Sequence, residues 1–224
     1  MSTSARDEIL TRVRNALRDV PAAARTGSTT KPPAPIPRDY LVTHIDEDPQ
    51  TMSDLLARNL ADYRAKVHRC AEPELPALIA QLLADHGTRS IATPPDLPDT
   101  WLSQCTHLPR SADTDAELLD AATLDRIDSV ITGCALAIAE TGTIVLDGGP
   151  QQGRRALTLV PDHHICVIRP HQVVASVARA LPLLDPRRPL TWVSGPSATS
   201  DIEFSRVEGV HGPRTLEAVL IAQD

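Results

Sequence analysis

Aromatic residues are nearly missing from this 224-residue sequence: one Phe, two Tyr and two Trp make up 2% of it. So few rings provide no stacking platform, and a formal net charge of −7 provides no basic field. Together these exclude a typical nucleic-acid binder. No apolar run approaches the roughly 20 residues of a membrane helix. The opening MSTSARDEIL lacks the apolar core of a secretory signal. A cytoplasmic protein without membrane insertion is expected. Close cysteine pairs are also missing. Cys70, Cys105, Cys134 and Cys166 stand 35, 29 and 32 residues apart, with no CxxC or CxxxC. Iron–sulfur and structural zinc sites place their ligands in close pairs, so reduced, buried thiols are expected and no metal site or other cofactor is identified in this chain. Neither GxxxxGK[ST] nor GxGxxG occurs, and Lys is absent from the second half. ATP and dinucleotide binding therefore lack motif support.

What is present is an ordinary globular composition, 42% hydrophobic and 23% charged, with 20 prolines. The length suits one α/β domain with an appendage. Residues 1–20 predict an amphipathic helix: Ser4 can cap it, Ile9, Val13, Ala16, Leu17 and Val20 share a face, and Pro21 stops it. Residues 21–48 read as a linker, with five prolines between 21 and 37. Through residue 40 there are seven basic and four acidic residues, so this part carries +3 and the remainder −10. The first helix is then either a basic arm that docks on another chain or a solvated helix on its own domain.

From residue 49 to 224, helical and β-branched segments alternate. Helices are expected across Met52–Tyr63, Leu75–Leu83, Asp115–Leu124 and Val173–Leu184. Strands are expected at Arg89–Thr93, Ser129–Thr132, His164–Ile168, Leu190–Val193 and Leu216–Ile221. Thr143–Leu146 and Ala156–Val160 flank the turn-rich DGGPQQGRR and look like a hairpin or broad ribbon. The alternation implies an α/β fold: a largely parallel sheet, made mixed by the hairpin, with helices on both faces.

Chemistry-bearing residues crowd into four segments. In Ala139-Glu140-Thr141-Gly142-Thr143 a carboxylate and two hydroxyls enter a strand. Glu140 is either a general base or acyl acceptor, or a turn carboxylate with local hydrogen bonds. In Pro161-Asp162-His163-His164-Ile165, successive residues of a strand point to opposite faces, so at most one His serves a given site. A structural histidine is the simpler reading there. Ser194 to Glu203 (SGPSATSDIE) follows a strand and forms either an anion cradle at a helix start or a capped turn. In Gly209-Val210-His211-Gly212-Pro213, His211 sits on a constrained turn. An antiparallel last strand would bring it level with the carboxyl ends of the other strands, facing Ser197 and Asp201.

Taken in order, IAETGT, the P-x-x-H-I strand entry, SGPS-x-T-x-DIE and GVHGP resemble the LUD-domain family, and within it the short lactate-utilisation protein C type (LutC, also YkgG). The resemblance spans about residues 50–224. It implies a NagB/RpiA/CoA-transferase-like fold, a three-layer α/β/α sandwich with a parallel or mixed sheet. It implies a part in oxidising L-lactate to pyruvate, as an accessory component whose iron–sulfur clusters reside only on partner subunits. It also implies a site for a small carboxylate or other anion. Carried onto this sequence, that site is built from Glu140, Asp201 and His211 as catalytic residues, with Thr141, Gly142, Thr143, His164, Gly195, Ser197, Thr199, Glu203 and Gly212 as ligand-binding ones. Two further readings stay open: a stand-alone CoA-transferase-like or phosphosugar-isomerase-like enzyme using Glu140, and a non-enzymatic binding or regulatory module. A homo-oligomer is compatible with each.

Overall fold

A computed structural model describes residues 5–16, 40–114, 116–199, 207–208 and 211–222. The chain divides into two units, one ending at Tyr40 and one starting at Leu41. In the first, helix α1 (Ala5–Ala16) has acidic residues in its first turn and Arg14 in its last, matching the helix dipole. It buries none of its residues, and Ile9 and Val13 are exposed. The remainder of the expected N-terminal helix and the linker up to residue 39 lie outside the described residues.

In the second unit, α2 (Pro49–Asp62) starts where the Asp48 carboxylate accepts the Thr51 N–H at 2.9 Å, with Pro49 in the first turn. Its inward face carries Leu56 and Leu60, both fully buried. Helix α3 (Leu75–Asp85) buries Leu75, Ile79, Leu82 and Leu83, and Gly87 at φ +72° ends it. The central sheet has six strands: β1 (Lys66–Cys70), β2 (Ile91–Thr93), β3 (Arg110–Ala112), β4 (Ser129–Thr132), β7 (His163–Ile168) and β12 (Thr215–Ile221). All pair in parallel, in the order β1-β12-β7-β4-β2-β3. Side chains alternate between two cores. Ile131, Ile165, Val167, Val219 and Ile221 pack against α3 and Trp101. Cys166, Ile168, Leu216, Ala218 and Leu220 pack against Leu56 and Leu60 of α2. Helices on both faces of a parallel sheet make the expected three-layer α/β/α arrangement.

A second sheet thickens the α2 side. It contains β5 (Leu136–Ile138), β6 (Thr143–Leu146), β8 (Val173–Val174) and β9 (Thr191–Val193), ordered β8-β5-β6-β9. The ribbon expected between 143–146 and 156–160 does not form. β6 instead pairs antiparallel with β5 and β9, while the second segment is helix α5 (Arg155–Leu159). Ala156, Leu157 and Val160 all enter the cluster around Leu124 and Val130. That i, i+1, i+4 spacing suits a helix face and no strand face. The helix expected over 115–124 shrinks to α4 (Ala121–Leu124), capped by Asp120. The helix expected over 173–184 also shortens. Its start is drawn into the sheet as β8, Ser176 caps α6 (Val177–Ala180), and a 3-10 turn follows at Leu181–Leu183. A short antiparallel ribbon joins β10 (Ala198–Thr199) to β11 (Val207–Glu208). Residues 43 and 44 already bond to the domain body, ahead of the expected domain start at 49.

The buried Asp113 carboxylate ties the outer loops together. It accepts Arg154 Nε at 2.7 Å, Arg154 Nη2 at 3.0 Å and the Leu119 N–H at 2.8 Å, and Arg154 also donates to the Leu119 carbonyl. Removing one partner leaves the others unpaired. Asp113→Ala should cost about 3 kcal/mol in urea unfolding, the usual scale for a broken buried pair.

Candidate functional site

Three of the four segments that sequence reasoning singled out, those of His164, Ser197 and His211, meet at one cavity, at the amino edge of the sheet. β12 runs parallel to both neighbours, so the turn before it enters beside the start of β7 and away from the carboxyl ends. The Ser197 N–H donates to the Pro213 carbonyl at 2.8 Å, and the His211 N–H donates to Ser197 Oγ at 3.0 Å. These two bonds zip the SGPS turn to the HGP turn. Beside them lies a cavity of about 310 Å³ whose lining includes Gly195, Ser197, His211, Gly212 and His164. Thr199 has its backbone in β10, just beyond that wall. Asp201 and Glu203 lie outside the described residues.

Arg155 was not foreseen. It lines this cavity and an adjoining one of about 650 Å³. Its neighbour Arg154 is matched by Asp113, and Arg188 by Asp147 at 2.8 Å. The exposed Arg155 guanidinium has no hydrogen-bond or ion-pair partner among the described residues. No carboxylate appears among the described residues that line the smaller cavity, whereas Ser194, Ser197, Thr158 and Thr191 all do. A free guanidinium among hydroxyls suits an anion. Nothing in the sequence separates Arg155 from Arg154; which of the two is matched by the distant Asp113 is decided only in the fold.

Glu140 stands apart from this cavity. Its Oε1 accepts the His44 N–H at 2.6 Å and the Thr43 hydroxyl at 3.2 Å, and His44 Nδ1 lies 3.6 Å from Oε2. Burial would push its carboxyl up, but these donors outweigh it and hold the group below the usual range. Thr141 Oγ1 lies 2.8 Å from Thr143 Oγ1, which lies 2.8 Å from Ser194 Oγ on the cavity wall. Thr141 and Thr143 therefore reach the cavity through a hydroxyl chain, and Glu140 does not. The glycines of both motifs serve close packing against the end of α2. Gly142 has φ +57°, and a Cβ there would lie 2.7 Å from the Asn59 carbonyl carbon. Gly195 has φ +84°, and a Cβ there would collide with the Tyr63 carbonyl oxygen.

The adjacent histidines face opposite ways, as strand geometry requires. His164 is buried on the cavity side, with Nε2 2.8 Å from Thr132 Oγ1. Burial, with His163 nearby, lowers its pKa to about 3, so it is a neutral imidazole. His163 faces the other core, its Nδ1 2.8 Å from Ser129 Oγ and its ring stacked on His86 at 3.9 Å. Its Nε2 is buried without a hydrogen bond, 3.5 Å from Glu217 Oε1. Glu217 is itself buried, yet burial is outweighed by His163, by the 2.6 Å bond to His68 Nε2 and by Lys66 at 3.3 Å. These hold its carboxyl at about 2. A lone Glu in the apolar strand TLEAVLI gave no warning of this row, because its partners come from β1 and β7.

The family model of the LUD domain matches residues 54–221. The chain is 44% identical over 193 residues to "Lactate utilization protein C" of Deinococcus radiodurans, covering 84% of this chain and 83% of that protein. It is 30% identical over 178 residues to the protein of the same name from Halalkalibacterium halodurans, covering 72% and 76%. Over 84 residues it is 34% identical to the uncharacterized protein YkgG of Escherichia coli K12, covering 34% and 36%. A crystal structure at 1.70 Å of a DUF162 family protein from Deinococcus radiodurans superposes with a TM-score of 0.66 at 36% identity, covering 79% of this chain and all of that one. The chain belongs to the LUD-domain family.

Two outcomes follow from the buried groups and the glycines. For His164 the unfolded state, with a pKa near 6.5, takes up a proton well before the folded state at about 3. Stability is therefore full above pH 6.5 and falls as the pH drops, by up to about 1.4 kcal/mol per pH unit. Glu217 adds a second loss below about 4.5, as its folded carboxylate titrates towards about 2. Urea titrations from pH 7.5 to 5 should show the first slope (roughly one proton's worth), and His164→Gln should flatten it. Gly195→Ala should lower the melting temperature by several degrees, corresponding to roughly 1–3 kcal/mol of strain.

Proposed function

We propose, from membership of the LUD-domain family, that this protein is an accessory component of a system oxidising L-lactate to pyruvate. The similarity that carries this reading is the 44% identity to a lactate utilization protein C along 83% of its length. Partner subunits supply the iron–sulfur centres and carry the electrons. The four cysteines of this chain suit that division of labour. All are buried and distributed between the two cores, Cys70 and Cys105 on the α3 side and Cys134 and Cys166 on the α2 side. No helix of the described residues is long and apolar enough to cross a membrane.

The amino-edge cavity takes a small carboxylate or another anion. Arg155 provides the charge, and the Ser197 hydroxyl and the turn around Gly212 provide polar contacts. Neutral His164 forms an uncharged wall and adds no charge to that of the arginine. His211 is held by its backbone to Ser197, which leaves its ring free to follow the ligand. Glu140 orders the 43–44 segment. A transferase-like role for it would first require release of the His44 and Thr43 bonds.

Co-expression with an iron–sulfur subunit encoded beside it should yield a complex that survives size-exclusion chromatography at micromolar concentration. Clean separation of the two would overturn the accessory role. Calorimetric titration with acetate and phosphate should detect an anion whose affinity falls about tenfold in Arg155→Ala, the scale of one charge-assisted contact. In Glu140→Gln that affinity should be unchanged.

A further inference from the structure

The other edge of the sheet holds a second polar centre, where the chain binds part of itself. Gln151 has a left-handed backbone, φ +63°, and three of its polar groups are engaged. Its N–H donates to Asp96 Oδ2 at 2.8 Å, its carbonyl accepts the Gly133 N–H at 2.7 Å, and its side-chain Oε1 accepts Arg169 Nη1 at 3.2 Å. Each partner follows the carboxyl end of a different strand: Asp96 follows β2, Gly133 follows β4 and Arg169 follows β7. These three strands are neighbours in the sheet. From β2 the chain continues outward to β3, and from β4 it continues the opposite way to β7, so the strand order reverses between them. That reversal creates the crevice in which open parallel sheets take their ligands.

Arg169 is prepared for a partner. Its Nη2 lies 3.2 Å from Glu72 Oε1, and its guanidinium lies 5.1 Å from the Trp101 ring centroid. This leaves Nη1 directed at the Gln151 position. The loop carrying Gln151 separates two cavities. One of about 450 Å³ is lined by Cys134, Arg169 and His171, and one of about 650 Å³ by Asp96 and Gly149. The loop tip is thus unpacked on two sides, with glycines at positive φ at 148 and 153. Its base is clamped by Gln152, whose Oε1 accepts the Asp147 N–H at 2.7 Å and whose Nε2 donates to Asp147 Oδ1 at 2.9 Å.

We propose that this crevice is a binding site for a small 2-hydroxycarboxylate, and that Gln151 is its built-in stand-in. The donor and acceptor pattern specifies the class. A carboxylate replaces the two Gln151 carbonyl oxygens on the Gly133 N–H and Arg169, and a neighbouring hydroxyl replaces the Gln151 N–H on Asp96. A 2-oxo acid lacks that donor and makes no bond to the exposed Asp96, so the site prefers the hydroxy acid by one charge-assisted hydrogen bond. Opening must break the Asp147–Gln152 clamp, so the closed loop lowers the apparent affinity by the open fraction. The groups that hold the ligand, Asp96, Gly133 and Arg169, lie outside the lining of the amino-edge cavity, although Arg155 borders both that cavity and the one of about 650 Å³. The choice of L-lactate as probe rests on the functional reading above, whereas the roles of Gln151 and Arg169 do not.

The test is calorimetric titration of the full chain with L-lactate and with pyruvate. Glycine tolerates φ +63°, so Gln151→Gly keeps the loop unstrained, and circular dichroism checks its fold. We expect it to bind L-lactate at least about tenfold more tightly than the parent chain. Adding Arg169→Lys should reverse the gain, and adding Asp96→Ala should abolish the preference for L-lactate over pyruvate. Arg155→Ala should change none of these values. No gain in Gln151→Gly, a gain that survives Arg169→Lys, or binding that depends on Arg155 would each overturn the site. Failure to form a complex with an iron–sulfur subunit would leave these results standing.

Discussion

The last turn of α2 lies against two glycines from distant parts of the chain, and the geometry of the cavity depends on that contact. Asn59 Nδ2 donates to the carbonyls of Ala139 and Glu140 at 2.8 and 3.1 Å. This draws the β5–β6 turn onto the helix, where only Gly142 has room. The Tyr63 carbonyl bears on Gly195 in the same way. One helix end thus positions both Thr143, below the cavity, and Ser197, in its wall. The hydroxyl pair Thr143–Ser194 spans the space between them. Such close backbone approach explains why both motifs need a glycine beside their hydroxyls, independently of any chemistry those hydroxyls perform.

Most of the architecture was legible because strand and helix periodicities differ so clearly here. β4 and β7 are buried along their whole length, and the alternation of His163 and His164 between faces followed from pleating alone. The failures have local causes. Ala156–Val160 is too short for periodicity to separate helix from strand, and a tertiary cluster around Leu124 decided the matter. Val173–Val174 was claimed by β5, which was itself unread because Leu136–Ile138 is only three residues long. Of the candidate site, the convergence of Ser197 with His211 was anticipated, although the reasoning tied it to an antiparallel last strand. Arg155, Glu217 and Gln151 were invisible for one shared reason. Their importance lies in which neighbours are paired and which are not, and pairing is a property of the folded chain.

The two edges of the sheet handle charge in contrasting ways. At the carboxyl edge the guanidinium groups are matched: Arg154 with Asp113, Arg169 with Glu72, Arg188 with Asp147. Matched groups hold their shape before any ligand arrives, so little ordering cost remains on binding. At the amino edge Arg155 is exposed and unmatched, a state that costs little in water but strengthens its pull on an anion once a ligand displaces that water. Below it, neutral His164 and the hydroxyls keep the cavity polar without adding opposing charge. The buried Glu217 row lies across the sheet from this cavity, and its carboxylate is already satisfied by His68 and Lys66.

The place of β12 in the sheet also constrains how the domain is born. It comes last in chain order among the described strands, yet it lies between β1 and β7, and among the described residues β1 pairs with no other strand. Until residues 215–221 are available, β1 lacks its hydrogen-bonding neighbour and β7 exposes a long apolar edge. The pairing of β12 with the edge strand β1 joins residues about 150 positions apart, Lys66 with Glu217, so it carries a large loop-closure cost before any packing is gained. A growing chain therefore carries an unfinished, adhesive sheet until β12 is made. Deleting residues 215–221 would not trim an ornament; it would remove the strand on which closure of the sheet waits.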